Sequence, residues 1–208
     1  LNVKIGGCEA RNDINFCRSI KVDALIAPMV ESEYALRKFM QSVSNNKKNL
    51  YINLETITAI KNIKKILNCN DAKFLKGIVF GRSDIAGSLN MKKKDVDKKK
   101  IYNLIHDSSN FSKKKKLVVK MGGSITEKSE LFIKTLFKKQ KVDYFETRNI
   151  EIKISEKTFL HFDQIIKKIF NFELELFKIK QKINSKSHTF FFKNIIKEIK
   201  KRILFNEK

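Results

Sequence analysis

Short apolar, β-branched runs recur along roughly the first 150 residues, at 1–5, 24–27, 50–54, 77–80, 117–121 and 144–145. Each is too brief for a helix and is closed by Gly, Pro or a polar residue. Amphipathic stretches fall between them at 9–21, 32–44, 58–67, 95–108 and 128–140. In the second stretch Tyr34, Leu36, Phe39, Met40 and Val43 approximate the i, i+3, i+4 spacing of one helix face. Strands that are apolar throughout must be covered on both sides. The alternation therefore reads as six βαβ-type units around a parallel sheet.

From about residue 155 the rhythm changes. A long helical region is expected over 157–183 and a second helix over 190–204, with a break at 184–188. No Gly/Ser-rich linker divides the chain, so a single body with a helical C-terminal extension is expected. Two architectures fit six units: an open doubly wound sheet or a (β/α)8 barrel. No G-x-G-x-x-G follows any strand and no P-loop is present, which removes the nucleotide fingerprints of the open folds. Six units is two short of a barrel, and the chain starts with Leu1, already inside a strand. An incomplete N-terminus accounts for both facts.

Composition narrows the setting. The 208 residues are 42% hydrophobic and 32% charged, enough for a real core and a soluble surface. No run approaches the ~20 apolar residues of a membrane span, and no secretory leader is seen, so a soluble, cytoplasmic protein with no membrane partner is expected. Cys8, Cys17 and Cys69 offer neither a disulfide framework nor zinc spacing. The formal charge of +23 raises the possibility of a polyanion partner. Against it, the excess is nearly all Lys, with Arg only at 11, 18, 37, 82, 148 and 202, and phosphate-forking sites favour Arg. The Lys residues also fall in short runs at 92–94, 98–100 and 113–116, which read as solvated faces. No specific nucleic-acid partner is expected.

In parallel α/β folds ligands bind at the C-terminal ends of strands. Six segments lie there: Lys4-Ile5-Gly6-Gly7 with Glu9, Pro28-Met29-Val30-Glu31, Glu55, Gly81-Arg82-Ser83-Asp84, Lys120-Met121-Gly122-Gly123, and Glu146-Thr147-Arg148. Glu55 closes an apolar strand, where a carboxylate is costly unless paired or bound to a cation. Asp84 closes the next strand. Two neighbouring carboxylates plus waters can hold Mg²⁺ or Mn²⁺; equally, each can cap the following helix or pair with Arg82. The near repeat of Val3–Gly7 in Val119–Gly123 places Gly pairs where backbone can approach a ligand or simply turn tightly. His106, His161 and His188 end no strand and read as surface or packing residues, and Cys8 as a small packing residue.

The segments Lys4-Ile5-Gly6-Gly7-Cys8-Glu9-Ala10, Ala27-Pro28-Met29-Val30-Glu31-Ser32, Asn53-Leu54-Glu55-Thr56 and Gly81-Arg82-Ser83-Asp84-Ile85 together resemble the HpcH/HpaI aldolase/citrate lyase family, in order and over residues 1 to about 152. Phe145-Glu146-Thr147-Arg148, with Gly122-Gly123, looks like a less studied branch of that family. The resemblance implies a (β/α)8 TIM barrel that begins here near the third strand. Residues 1–154 would form the N-terminally incomplete barrel, and 155–208 helices packing on it or on a partner subunit. It implies metal-dependent carbon–carbon lyase chemistry on a 2-oxo acid or acyl-CoA, with Mg²⁺ or Mn²⁺ held by Glu55 and Asp84. Lys4 would act on the substrate oxygen, the Gly81, Arg82 and Ser83 backbone would hold a carboxylate, and Arg148 would take a distal carboxylate or pair with Glu146. Glu9 and Glu31 are rim acids that could orient water or Lys4, or begin helices.

The sequence departs from the family at three places. Lys4 stands where an Arg is common, which keeps the charge and loses the fork. Residues 45–49 replace a Pro- and Gly-rich loop. The strands that carry the family's acid–base residues are missing, which implies an open barrel with little or no turnover from these residues alone. Family members associate through their last helix, and Phe170, Phe172, Leu174, Leu176, Phe177 and Ile179 offer an apolar surface for a homo-oligomer. Two rival readings stand beside the lyase: a non-catalytic barrel acting as a binding or assembly component, and a Lys-rich polyanion-binding protein.

Overall fold

A computed structural model describes residues 1–43, 49–183 and 186–204, except for the side chains of 186–189 and 204. The loop expected at 45–49 and the break expected at 184–188 therefore lie largely outside the described residues, as does the His188 side chain. Strands and helices alternate as β1 (Asn2–Lys4), α1 (Arg11–Ser19), β2 (Ala24–Ala27), α2 (Glu33–Ser42), β3 (Asn49–Leu54), α3 (Ile57–Asn68), β4 (Gly77–Gly81), α4 (Arg82–Ser88), α5 (Lys99–Lys114), β5 (Val118–Gly122), α6 (Glu130–Lys138) and β6 (Tyr144–Glu146). There follow β7 (Glu151–Lys153), α7 (Glu156–Leu160), α8 (Phe162–Ile183) and α9 (Lys186–Leu204). Among the described residues, seven strands form one curled sheet in sequential order, an incomplete (β/α)8 barrel. β1 to β6 are parallel neighbours, as the alternation predicted.

The sheet's two faces bury different things. Leu25, Ala27, Ile52, Leu54, Ile78, Phe80, Val119, Met121 and Phe145 point outward into the main core with the helices. Ala24, Ile26, Tyr51 and Val79, with Val118, form a second, smaller cluster inside the curl. Successive side chains alternate between faces, so Asn53, Glu55, Gly81, Lys120, Gly122 and Glu146 share the inner face. Ser32 and Thr56 begin α2 and α3 by accepting hydrogen bonds from Ala35 N and Ala59 N, each at 3.1 Å.

Several expectations are corrected. The sheet is not wholly parallel, because β7 folds back antiparallel on β6. Glu151, Ile152 and Lys153 follow a turn in which Thr147 N donates to Ile150 O at 2.8 Å; a three-residue strand is too short for its periodicity to be read. The first helix starts at Arg11 rather than residue 9, and α5 runs over Lys99–Lys114 rather than 95–108. The helix expected over 157–183 is broken at His161, whose φ of −134° lies outside helical geometry. α4 was not anticipated; seven residues after Gly81 leave too little sequence for a periodic signal.

β1 and β7 share no ladder, yet Asn2 Nδ2 donates to Glu151 Oε2 at 3.2 Å. The sheet's two edges therefore meet through side chains. Phe162, Ile166 and Phe170 of α8 belong to the main core, and α9 packs along α8 with Phe177 and Phe192 at 6.1 Å between ring centroids. Phe170 and Phe177 thus face inward, while Phe172 and Ile179 remain about half exposed.

Candidate functional site at the strand ends

A cavity of about 760 Å³ opens at the C-terminal ends of the strands. Its floor is built from glycines. Gly81 on β4 and Gly122 on β5 are register partners, side by side. A side chain on Gly81 would lie 3.0 Å from Glu55 Oε2 and 3.4 Å from Asp84 Oδ2, and one on Gly122 would lie 3.1 Å from Glu146 Oε1. Three carboxyl groups therefore lean over two residues that have no side chains of their own.

Glu55 is buried, and its charge is met by the backbone and by an amide. Met29 N donates to Oε1 at 3.1 Å and Asn53 Nδ2 donates to Oε2 at 2.9 Å, with Lys4 Nζ 3.9 Å from Oε2. Holding Met29 this way places it in the left-handed region, at φ 53°, an uncommon state for a non-glycine residue and often found at working sites. Asn53 Oδ1 is buried beside Glu55 with no partner among the described residues. Asp84 lines the same cavity and makes no ion pair among the described residues. No group of three or more His, Cys, Asp or Glu side chains converges on a metal position among the described residues. Two carboxylates, with an orphaned amide oxygen next to them, nevertheless suit Mg²⁺ or Mn²⁺, which keep several waters and take one or two protein carboxylates.

Glu146 is governed by burial, which pushes its carboxyl up to about 7, with the nearby Glu151 charge adding to the rise and Lys120 and Lys4 opposing it. Glu151 is neutralised by Lys120 Nζ at 2.6 Å. Lys120 is itself buried and lies 3.9 Å over the Tyr51 ring, and burial raises the Tyr51 hydroxyl to about 12.

The remaining expected residues are placed as follows. Arg82 is fully buried, and its guanidinium donates to Gly122 O at 3.3 Å, Gly123 O at 2.9 Å and Ser129 Oγ at 3.3 Å, and pairs with Asp97. Its side chain braces the β5 end, and only its backbone is free to face a ligand. Ser83 lines the cavity, its hydroxyl 2.8 Å from Ser124 Oγ. Gly123, at φ 87°, has no side chain where one would lie 2.6 Å from Ser83 N and 2.8 Å from Arg82 N. Arg148 lines the cavity with its guanidinium 6.0 Å from the Phe177 ring, and Glu173 of α8 steadies the same loop by accepting from Thr147 Oγ1 at 2.7 Å and Asn149 N at 2.9 Å. Glu9 pairs with Lys38 at 2.9 Å away from the cavity. Glu31 accepts from the Thr56 hydroxyl at the start of α3. Burial raises the Cys8 thiol, which donates to Pro28 O at 3.6 Å.

Of the residues gathered here, Lys120 falls in the strand-end segment Lys120–Gly123 read from the sequence, with no role of its own assigned, and Asn53, Glu151 and Glu173 carry no such reading. For the first two a signal exists: a polar residue inside an apolar strand, at even spacing from Glu55 or Gly122, must face the inside of the curl.

The architecture and the placement of the cavity define a partial (β/α)8 barrel with its ligand region at the carboxyl ends of the strands. Within that class the fold is that of the HpcH/HpaI aldolases. The crystal structure of RipC from Yersinia pestis matches with a TM-score of 0.56 at 15% identity, over 71% of this chain and 70% of that one. The HpcH/HpaI aldolase from Desulfitobacterium hafniense matches with a TM-score of 0.56 at 12% identity, over 70% of this chain and 64% of that one. No protein-family model and no curated protein sequence matches the chain. Among the described residues no helix is long and apolar enough to cross a membrane.

Proposed function

We propose that the chain is a metal-dependent carbon–carbon lyase of the aldolase/citrate lyase type, acting next to a 2-oxo acid or acyl-CoA. The observation that carries this reading is the convergence of Glu55 Oε2 and Asp84 Oδ2 over the bare backbone of Gly81. Glu55 and Asp84 would hold Mg²⁺ or Mn²⁺, which when bound supplies positive charge where an enolate oxygen develops. Met29 N–H and the Asn53 amide hold the Glu55 carboxyl in place at the cavity. Lys4, half exposed at the rim, offers a second positive charge to the substrate oxygens. The backbone N–H groups of Arg82 and Ser83 face the space left by Gly123, and with Gly81 beside them would orient a carboxylate there. Arg148 would receive a more distant anionic group.

Titration calorimetry with Mn²⁺, with and without oxalate as a mimic of the pyruvate enolate, tests the reading. Oxalate-enhanced Mn²⁺ binding in the wild type, lost in Asp84→Ala, is expected. A folded protein that binds neither would remove the lyase reading and leave a barrel with an assembly role.

One observation favours that second reading. Phe172, Ile179 and Ile183 form an exposed apolar stripe on α8, at 52%, 52% and 77% exposure. Their i, i+7, i+11 spacing keeps them on one face, which would serve self-association into a homo-oligomer. Light scattering on Ile179→Glu tests it: a smaller assembly than wild type is expected, and an unchanged mass would discard the stripe as an interface.

A further inference from the structure

Glu146 has a different relation to the cavity from the Glu55–Asp84 pair. The inner rim runs Glu55, Gly81, Gly122, Glu146 across four successive strands, with Gly81 and Gly122 paired in register. Neighbouring strands lie ~4.8 Å apart, and both flanking carboxyl groups lean inward over the glycines. The floor between them has the width of a three- or four-carbon acid. One end of such a molecule would rest over Gly81 against Glu55 and Asp84. The other end would rest over Gly122 against Glu146.

Of the other carboxylates lining this region, Asp84 is also without a partner among the described residues and leans over Gly81 beside Glu55, while the rest are engaged. Glu151 is held by Lys120 and Asn2, and Glu173 by Thr147 and Asn149. Glu55 is held by Met29 and Asn53. The Glu146 carboxyl makes no hydrogen bond or ion pair among the described residues. Its charged surroundings come from four strands: Glu151 of β7, Lys120 of β5, Lys4 of β1 and Glu55, which directly follows β3. Burial and the two carboxylates outweigh the two cations, so the group changes its proton at about neutral pH, where a general acid–base works best.

We infer that Glu146 is the proton-transfer residue of this site, exchanging a proton with C3 of a pyruvate-like 2-oxo acid. The inference rests on the lyase reading above and adds to it an acid–base group at the other end of the same floor. In the bond-breaking direction, protonated Glu146 gives its proton to C3 of the enolate. The C2=C3 electron pair becomes the new C3–H bond, the enolate oxygen returns to a C2 carbonyl, and Glu146 is left as the carboxylate. In reverse, the carboxylate removes a C3 proton, the C–H pair forms C2=C3, and the carbonyl pair moves onto oxygen.

The test follows the methyl signal of pyruvate by proton NMR in D₂O with Mg²⁺ present. Wild type should exchange its methyl protons at a rate that rises as pH passes through about 7. Glu146→Gln should lose on the order of 100-fold or more of that rate while still binding oxalate with Mg²⁺. Glu146→Asp, which keeps the carboxyl one methylene further back, should retain part of it. Difference infrared spectroscopy on the metal-free protein should show a protonated carboxyl band below about pH 7 that Glu146→Gln removes. Wild-type exchange that Glu146→Gln leaves unchanged, or oxalate binding by wild type without exchange, would overturn the assignment and leave the lyase reading standing. Absence of both oxalate binding and exchange in wild type would overturn the two together.

Discussion

Glu146 and Glu151 stand opposite one another as register partners across the antiparallel pair β6–β7. Like charges at opposed positions destabilise a two-stranded pair, and among the described residues only Glu151 of the two has a cation in contact, Lys120 at 2.6 Å. Burial first, and the Glu151 charge after it, raise the Glu146 carboxyl from 4.5 to about 7, and a proton there relieves both.

Folding stability should therefore depend on pH through this residue. Between about 4.5 and about 7 the folded chain keeps a proton that the unfolded chain has released. Stability from this group is thus complete below about 4.5, falls as pH rises to about 7, and is level above it. The cost is at most on the order of 3 kcal/mol. Glu146→Gln should flatten that slope and raise Tm above neutral pH by several degrees, as followed by circular dichroism melts across pH. An unchanged slope would place the titration elsewhere.

Lys120→Met should act in the opposite sense on the same pair. Lys120 is one of two cations holding the Glu146 carboxyl down, and the contact partner of Glu151. Its loss should move the Glu146 titration above 7, which carboxyl-carbon NMR on labelled protein would resolve.

The parallel order of β1 to β6 was readable because each strand is buried on both faces, so its apolar run stands out against the polar faces of the helices. What lay inside the curl was harder to see. Glu55 and Asp84 stand out in the sequence because each follows a strand end, the position parallel folds expose. Asn53 and Lys120 interrupt apolar runs, and a run read whole rather than as two alternating faces does not show which of its polar residues point inside the curl. Glu146 ended a recognised strand, but its unpaired state depends on β7, three residues whose antiparallel return no local pattern announces. Arg82 had the right position for a ligand contact. Its side chain turns inward because two carbonyls at the β5 end and Asp97 lie behind it, contacts separated by 15 to 41 residues in the chain.

Arg82 should accordingly be a stability residue. Truncation to Ala leaves Gly122 O and Gly123 O without their donor and Asp97 without its partner. Breaking a buried pair on one side costs about 3–5 kcal/mol. Arg82→Lys should recover little, since an ammonium cannot serve two carbonyls and a carboxylate as the planar fork does. Urea unfolding of both variants measures this, and a loss under 1 kcal/mol for Arg82→Ala, well below that estimate, would contradict it.

Two glycines in the sheet should respond differently to Ala, for a reason visible in what each new methyl would meet. At Gly77 it would lie 2.2 Å from Val118 O and 2.8 Å from the Tyr51 ring. A strand carbonyl cannot withdraw without breaking the β4–β5 ladder, so Gly77→Ala should cost about 3 kcal/mol or more, the upper end for overpacking. At Gly122 the methyl would meet Glu146 Cγ at 2.9 Å and Oε1 at 3.1 Å, the end of a flexible side chain that can rotate away. Gly122→Ala should therefore cost less than about 1 kcal/mol, in the range of well-tolerated changes. It should nevertheless suppress pyruvate methyl exchange in D₂O, because the carboxyl is moved and the floor beneath its end of the substrate is filled. Equal losses of stability for the two variants, read from urea midpoints, would mean that the Glu146 side chain is held far more rigidly than its contacts imply.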